Sequence, residues 1–328
     1  MKQLLNRLIN HETISTEEAK SVLVNISKGD YNQSQIASFL TVYMMRSVTT
    51  QELEGFRDAL LELCLAVDFS AYNTVDLCGT GGDGKNTFNI STLSSFVTAG
   101  AGVKVTKHGN YGVSSISGSS NVLEYLGIKF SNEKDFLEKC LDKAGICVLH
   151  APLFHPAMKN VAPIRKELGV KTFFNMLGPM VNPSFPKNQL VGVFNLELLR
   201  IYGYLYQNTN KNYTILHALD GYDEISLTSN TKVISNESEI ELTPRDFGVQ
   251  QITQEAIFGG NTIKESAEIF MKVIRGKGTE AQHNVVAANA GMAIATVKKV
   301  SPKEGFELAK ESLLSGKGFK VLKKLQNM

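Results

Sequence analysis

The sequence carries its clearest chemistry in a glycine-rich loop, in which four of six consecutive residues are glycines: Gly79-Thr80-Gly81-Gly82-Asp83-Gly84. The residues just before it, 74–78, predict a short buried strand. Glycines after a strand leave backbone N–H groups free to turn toward a bound anion. The loop therefore indicates an anion-binding cradle, and its pattern leaves three interpretations of the anion.

Two of these interpretations are nucleotide-binding motifs. The loop satisfies G-x-G-x-x-G, the dinucleotide fingerprint, but that motif also needs an acid about 20 residues further on for the ribose hydroxyls. Here the next strand leads into Lys107-His108, which suits phosphate better. The loop also approaches the P-loop pattern, although Asn86 supplies no hydroxyl for magnesium and Asp83 would repel a nucleotide phosphate. Both motifs fit poorly, and a merely tight turn would need only one or two glycines.

The third interpretation adds the residues that follow, Asn89-Ile90-Ser91-Thr92, at the start of a helix predicted from near Ser91 to Gly100 or Gly102. The first N–H groups of a helix lack partners within it, and the positive end of the helix dipole attracts anions. One hydroxyl would suffice as a cap. Three polar residues favour contact with a ligand.

A second polar loop, Lys107-His108-Gly109-Asn110, follows a second predicted strand at residues 103–106. Because it follows a strand of the same parallel sheet, it should emerge at the same end of the sheet as the first loop. Ligands of open α/β sheets bind at this end, beyond the carboxyl ends of the strands. The serine-rich stretch 114–120 then offers another helix start. We expect Lys107 to act as a point charge, and Ser119 with nearby amides to donate hydrogen bonds to a second phosphate. A serine-rich loop alone is most often only a loop.

The adjacent acids Asp223-Glu224 follow a strand predicted over residues 213–219. Such pairs are usually surface residues. Two carboxylates can also hold Mg²⁺ while the ion keeps waters and takes oxygens from a substrate phosphate. A site for pyrophosphate needs such a counter-charge.

The elements that must position these residues change in character along the chain. The first 70 or so residues predict helices, with capping boxes at Ser15–Glu18 and Thr49–Glu52. Strands and helices then alternate, which predicts an α/β domain with a largely parallel sheet. A small β excursion over 229–258 and a helical C-terminal region of about 65 residues follow. The proline-rich stretch 155–185 predicts a crossing segment rather than a regular element.

Composition limits the functional classes. The 328 residues are 43% hydrophobic and 20% charged with a net charge of +2, so no whole-molecule field draws the chain toward nucleic acid. The basic stretch 317–324 predicts the solvated face of a last helix. No apolar run approaches a membrane span, and the start lacks the pattern of a signal peptide. The four cysteines show no C-x-x-C spacing and indicate buried thiols in a reducing cytosol, so we expect a cytoplasmic protein.

These motifs, in this order, resemble those of anthranilate phosphoribosyltransferases. The resemblance joins the two loops, the Asn89–Thr92 element, residues 117–119 and Asp223-Glu224 with a segment at 165–183 that contains Arg165-Lys166-Glu167-Leu168-Gly169. It runs through nearly the whole chain. Three positions depart from the usual pattern: Tyr111 replaces a common arginine, Ile116 a basic residue and Asn121 an aspartate.

The resemblance implies a small, mainly helical domain of residues 1–70 with a returning segment near 160–185. It also implies a large α/β domain of residues 71–328, whose central, largely parallel sheet is flanked by helices, and an active site in the cleft between the two. A homodimer formed through the helical domain is a further implication. Thymidine phosphorylases share this fold, but their first loop lacks an aspartate like Asp83.

The implied function is transfer of the phosphoribosyl group of phosphoribosyl pyrophosphate to the amine of anthranilate, in tryptophan biosynthesis, with Mg²⁺ as cofactor. The metal ligands would be Ser91, Asp223 and Glu224, and no residue is an obligate catalytic group. Anthranilate would contact Gly79, His108, Asn110 and Arg165. Phosphoribosyl pyrophosphate would contact Gly79, Gly82, Asp83, Thr87, Asn89, Ile90, Ser91, Thr92, Lys107, His108, Gly109, Asn110, Ser115 and Ser119.

Other assignments stay open at this point. A pyrimidine-nucleoside phosphorylase would use the same scaffold, and a non-catalytic relative would bind nucleic acid. Neither nucleic acid nor membrane is expected as a partner of the transferase. An anthranilate synthase component is a candidate protein partner.

Overall fold

The computed structural model describes residues 1–112 and 117–328, so the predicted ligand Ser115 and the departure at Ile116 lie outside the described residues. The chain forms two compact units. One comprises Met1–Val67 with Ala151–Pro183, and the other Asp68–His150 with Ser184–Met328.

The first unit is helical, as its sequence predicts. Both capping boxes are confirmed: Ser15 accepts a hydrogen bond from the Glu18 N–H and Thr49 from the Glu52 N–H, and each glutamate returns a bond to the cap residue. The helices are α1 (Lys2–Ile9), α2 (Thr16–Lys28), α3 (Gln33–Met45), α4 (Thr50–Leu63), α8 (Ala151–Phe154) and α9 (Ala162–Leu168), with 3₁₀ turns at Pro156–Asn160, Phe173–Met176 and Gly178–Met180.

The stretch 155–185 is more regular than the sequence predicts, because it contains α9 and three 3₁₀ turns. Pro163 stands in the first turn of α9, where a missing N–H costs nothing, so this proline helps to start a helix. Gly169 ends the helix in the left-handed region, with φ of 64°. The prolines therefore divide the stretch into short helices.

An aromatic cluster joins the returning segment to the N-terminal helices of this unit. Phe173 stacks on Phe56 with ring centroids 4.3 Å apart, and Phe39 and Tyr43 meet both rings edge-on. Such pairs contribute about 0.5–1.5 kcal/mol beyond the area they bury. The cluster fixes the segment that carries Arg165.

A buried carboxylate, Glu52, also organises this unit. It accepts hydrogen bonds from the N–H groups of Ile14 (3.2 Å) and Thr49 (2.9 Å), from the Tyr43 hydroxyl (3.1 Å) and from the Arg46 guanidinium. Burial raises the pKa of Glu52, but these donors outweigh it and the pKa ends below its usual range. A buried charge is tolerated because it is fully paired.

The second unit is built on a seven-stranded sheet with the order β3-β2-β1-β4-β5-β6-β7. The first five strands are parallel, whereas β6 and β7 are antiparallel, which confirms a largely parallel sheet with a small β excursion. The strands are β1 (Val75–Gly79), β2 (Val105–Gly109), β3 (Ile146–His150), β4 (Asn188–Gly192), β5 (Asn212–Ala218), β6 (Thr231–Ser235) and β7 (Glu239–Leu242).

The helices of this unit pack against the sheet and against one another. They are α5 (Ile90–Gly100), α6 (Ser119–Tyr125), α7 (Lys134–Lys143), α10 (Leu196–Tyr206), α11 (Ile263–Ile274), α12 (Glu280–Lys298), α13 (Pro302–Leu314) and α14 (Lys317–Gln326). The predicted helix start near Ser91 and the helical C-terminal region are confirmed. Within residues 1–112 and 117–328, no helix is both long and apolar enough to cross a membrane.

One strand lies further along the chain than its sequence predicts. Residues Lys107 to Gly109 were expected to follow the second strand, but they form the second half of β2, paired in register with Val148 to His150 of β3. The polar residues suggest the end of the strand, but pairing with β3 keeps the backbone extended through them.

Candidate active site

The glycine-rich loop leaves the sheet at β1, which pairs with β2 on one side and β4 on the other. Because the chain order reverses at this position, it is the kind of switch point where α/β sheets bind ligands. Gly81, Gly82 and Gly84 all have φ between 66° and 77°, a region that disfavours other residues. The predicted cradle therefore requires its glycines.

The acidic pair comes to the same place. Asp223 is 8% exposed, and its Oδ2 accepts a hydrogen bond of 2.6 Å from the Gly81 N–H. Gly79 and Gly192 face each other in register at the ends of β1 and β4, and a Cβ on either would overlap Asp223. These two glycines make room for the acid at the switch point.

Glu224 reaches the start of α5. Its Oε1 accepts a hydrogen bond of 3.1 Å from the Ser91 N–H, and its Oε2 lies 3.4 Å from the Thr87 hydroxyl. The structure thus brings together the predicted metal set of Ser91, Asp223 and Glu224. The main-chain N–H groups of Gly81 and Ser91, which the sequence predicts to bind a ligand anion, donate their hydrogen bonds to these carboxylates.

The carboxylates carry more negative charge than their surroundings balance. Burial, and then the neighbouring Asp83, raises the pKa of Asp223 to about 7. Burial together with Asp223 and Asp83 raises the pKa of Glu224 well above its usual range. A site with this excess of oxygen ligands and negative charge suits a hard divalent cation such as Mg²⁺. Among the described residues no group of three or more His, Cys, Asp or Glu is arranged so that it could hold a metal ion by itself.

The Asn89–Thr92 element divides into two kinds of residue. Ile90 and Thr92 are 0% and 1% exposed, so both predicted contacts are buried in this structure. Asn89 donates 3.0 Å to the Ser117 carbonyl oxygen, and in the described part of the chain its buried Oδ1 has no hydrogen-bond partner.

Lys107 is more deeply placed than its predicted role requires. It is 2% exposed, and its Nζ donates 3.1 Å to the Leu77 carbonyl oxygen of β1. Burial lowers its pKa, while Asp76 acts in the opposite direction. In this position the Lys107 ammonium is held against the backbone of β1. His108 is 6% exposed, and its backbone N–H donates 3.2 Å to Asp76.

The end of the second loop, at Asn110, is hydrogen-bonded to the first residues of α6. The Asn110 carbonyl oxygen accepts from the Ser120 N–H (3.1 Å) and the Ser119 hydroxyl (3.3 Å), and Gly109 leaves room for Ser119. Asn121, one of the departures, accepts from both Gly112 N–H (2.9 Å) and Gly118 N–H (3.1 Å). Ser119 is thus held beside Asn110.

The third departure, Tyr111, is partly exposed and turns toward other side chains. Its hydroxyl lies 3.3 Å from the Glu124 carboxylate, and its ring meets the His150 ring edge-on with centroids 4.8 Å apart. At the position where the family commonly has arginine, this chain therefore has a tyrosine that contacts an aromatic ring.

Arg165 lies in α9 of the helical unit and is held by two neighbouring side chains of that unit. Its guanidinium donates 3.2 Å to Asn175 Oδ1 and lies 5.3 Å from the centroid of Phe174. Burial lowers its pKa to about 10, which leaves it charged at neutral pH. Among the described residues its buried Nε has no hydrogen-bond partner.

Two buried polar residues of the site region were missed by the sequence interpretation. Asp76 lies in the middle of β1 and is 0% exposed. Asn289 lies in α12, is 4% exposed and lines a small cavity with Ser91, Asp223 and Glu224. The available signal was a polar residue inside an apolar run, which alone does not distinguish a site from a satisfied core group.

Comparison with known proteins places the chain in a class. Residues 2–64 match the helical bundle domain of a glycosyl transferase family, and residues 71–319 match its α/β domain. The chain therefore belongs to this family of two-domain glycosyl transferases.

Its relatives define the group within the class. The chain is 76% identical, over 100% of its length and 99% of the relative's, to the anthranilate phosphoribosyltransferase of Flavobacterium psychrophilum, and 51% identical over 99% and 98% to that of Bacteroides fragilis. It is similar to the crystal structure of the Thermus thermophilus enzyme, with a TM-score of 0.91, 32% identity and 98% of each chain covered. A Saccharomyces cerevisiae enzyme in complex with phosphoribosyl pyrophosphate and Mg gives a TM-score of 0.89 at 26% identity, over 98% of this chain and 96% of that one. The chain belongs to the anthranilate phosphoribosyltransferase family.

Proposed function

We propose that this chain transfers the phosphoribosyl group of phosphoribosyl pyrophosphate to anthranilate, as a step of tryptophan biosynthesis. A bond forms between the amine nitrogen and C1 of the ribose while the bond from C1 to the pyrophosphate oxygen breaks. The leaving group keeps the electron pair, and the amine loses one proton to solvent. The observation that carries the proposal is the buried pair Asp223-Glu224, held by the Gly81 and Ser91 amides at the switch point of the sheet.

The carboxylates are the proposed ligands of Mg²⁺, together with Ser91. When bound, the cation would neutralise charge that develops on the departing pyrophosphate. The raised pKa values of Asp223 and Glu224 arise first from burial and then from the neighbouring carboxylates. They support this role, because a bound cation would offset both effects.

The glycine-rich loop and the start of α5 are proposed to bind the diphosphate and ribose. Their donors are main-chain N–H groups in fixed positions, so little reorganisation is needed when negative charge shifts in the transition state. Ser119, held beside Asn110, would turn its hydroxyl proton from the Asn110 carbonyl oxygen to the 5′-phosphate, and Lys107 would add positive charge from below.

Arg165 is the proposed partner of the anthranilate carboxylate. Its planar fork matches a carboxylate, and Asn175 with Phe174 already restricts its orientation. The buried Nε without a partner in the described structure supports a ligand at this point. Gly79, His108 and Asn110 complete the proposed anthranilate contacts.

A fluorescence assay tests the proposal. Anthranilate fluorescence should fall when phosphoribosyl pyrophosphate is added with Mg²⁺, and should persist with Mg²⁺ removed by chelation. Phosphate and thymidine serve as the competing substrates. Turnover of the nucleoside alone would replace the transferase with a phosphorylase, and salt-sensitive DNA binding without turnover would favour the non-catalytic alternative.

We further propose a cytoplasmic homodimer. The four cysteines, all of them in the described part of the chain, are free thiols, which suits a reducing compartment. Ile9, Met44 and Met45 of the helical unit are 61%, 41% and 78% exposed, and pairing of two copies through this unit would cover such side chains. An anthranilate synthase component stays a candidate partner.

A further inference from the structure

Asn289 lies beside the segment that carries Asp223 and Glu224, here called the acidic turn, and lines a small cavity with both carboxylates. It lies in the middle of α12, where it is flanked by buried residues of the run 284–296. Buried polar side chains are retained where they have partners, so the partners of this amide show what it does.

Its partners are the backbone groups of the residue that follows the acidic pair. The Ile225 N–H donates 3.0 Å to Asn289 Oδ1, and Asn289 Nδ2 donates 2.9 Å to the Ile225 carbonyl oxygen. Nδ2 also donates 2.9 Å to the Val285 carbonyl oxygen of its own helix. One side chain therefore fixes both polar groups of Ile225, much as a neighbouring strand would.

The same helix is fastened to α5, whose first turn binds Glu224. The Ser94 hydroxyl donates a hydrogen bond of 3.2 Å to the Val286 carbonyl oxygen. The Thr98 hydroxyl donates one of 3.4 Å to the Ala290 carbonyl oxygen. Helix α12 thus contacts both the acidic turn and helix α5, whose Ser91 N–H donates a hydrogen bond to Glu224.

We infer that Asn289 is a positioning residue for the metal-binding carboxylates, acting through the backbone of Ile225. The inference rests on the proposed function, because it takes Asp223 and Glu224 as the ligands of the cation. Groups that orient metal ligands from behind typically change metal affinity by about 10- to 100-fold when removed.

The helix supplies a matched control. Asn284 lies on α12 and is 6% exposed, comparable to Asn289, but its Oδ1 has no hydrogen-bond partner among the described residues. It does not contact the acidic turn through any hydrogen bond of the described structure. Asn284→Ala removes the same amide from the same helix and leaves Ile225 paired.

The test measures the affinity for Mn²⁺ with inorganic pyrophosphate, by titration calorimetry on the full chain, for wild type, Asn289→Ala, Asn289→Leu and Asn284→Ala. Thermal melting in the presence of a chelator reports folding separately. We expect both Asn289 variants to bind Mn²⁺ about 10- to 100-fold more weakly and to regain turnover at high Mg²⁺, with the control at the wild-type affinity.

Three results would overturn the inference: wild-type affinity in folded Asn289 variants, an equal loss in Asn284→Ala, or failure of both Asn289 variants to fold, which would make the amide part of the fold alone. Failure of the proposed function gives a different result. In that case wild type itself would show no Mn²⁺-dependent binding of pyrophosphate.

Discussion

Arg165 is the one proposed anthranilate contact that is not also a proposed contact of phosphoribosyl pyrophosphate, so its removal should separate the two binding events. We expect Arg165→Ala to raise the KM for anthranilate by about 10- to 100-fold, the range for a lost hydrogen bond to a charged group, with little change in the KM for phosphoribosyl pyrophosphate. Steady-state kinetics with each substrate varied provide the measurement.

Lys166→Ala is the matched control, because this neighbour in α9 is exposed. It should leave both KM values unchanged. An equal rise in both KM values with Arg165→Ala would remove Arg165 from the anthranilate site.

The acidic pair should determine the response to magnesium. The double variant Asp223→Asn with Glu224→Gln should lose most activity and the dependence of the remaining rate on Mg²⁺, since the coordinating charges are gone. Activity across a Mg²⁺ series is the measurement. Glu237→Gln with Glu239→Gln, two exposed acids paired only with surface lysines, should behave as wild type. A fully active, Mg²⁺-responsive Asp223/Glu224 variant would contradict the assignment.

At the scale of elements, the ends of β1 and β4 determine how closely the acidic turn approaches the sheet. Because a Cβ on Gly192 would overlap the backbone of Asp223, Gly192→Ala should displace that turn and weaken the response to Mg²⁺ about 10-fold or more. Gly203→Ala in α10, where the added methyl meets only the end of the Ile234 side chain at 3.3 Å, is the control. An unchanged Mg²⁺ response in Gly192→Ala would show that the turn tolerates the shift.

The start of α4 should set the acid stability of the helical unit. The pKa of Glu52 is lowered in the folded state, so its stabilisation is complete above the unfolded pKa of about 4.3 and is lost as the pH falls through the folded pKa. We expect Glu52→Gln to lower the free energy of unfolding at pH 7 by about 3–5 kcal/mol, because Arg46 is left without its partner.

Urea unfolding of Glu52→Gln and wild type between pH 3 and pH 7 would measure both effects. The difference between the two proteins should shrink toward the acid end of the series. Glu62→Gln, which breaks an exposed pair with Lys20, should cost less than about 1 kcal/mol throughout. A pH-independent difference between Glu52→Gln and wild type would contradict the assignment of charge to this group.

Local signals predicted most of these elements. Capping boxes start at Ser15 and Thr49, and Gly127 ends the helix at 119–125. The extent of β2 was wrong because strand pairing with β3 is a long-range effect that composition does not contain. Asn289 was missed for the same reason, since its partner lies 64 residues away in the chain.

At the scale of the whole molecule, the family could be anticipated because several loops occur in register with those of one family. The deep position of Lys107 could not, since it depends on the space between two paired strands. Motif order therefore predicted the family better than it predicted how deeply each side chain is buried.

The proposed homodimer is a prediction at this scale. Light scattering should give twice the mass of the 36.0 kDa chain, and Met45→Asp should shift the equilibrium toward the monomer by placing charge in an apolar interface. Tyr204→Asp, at a residue 58% exposed in the α/β unit, should leave the mass unchanged. A monomeric wild type would exclude the dimer.

The donors at the switch point are main-chain N–H groups of Gly81 and Ser91, and this has a pharmacological consequence. A side-chain substitution cannot delete a main-chain donor, and the glycines around it tolerate few replacements. An inhibitor that placed a diphosphate mimic and its cation against the carboxylates that these amides hold would therefore leave few single mutations by which resistance could arise without loss of the enzyme itself.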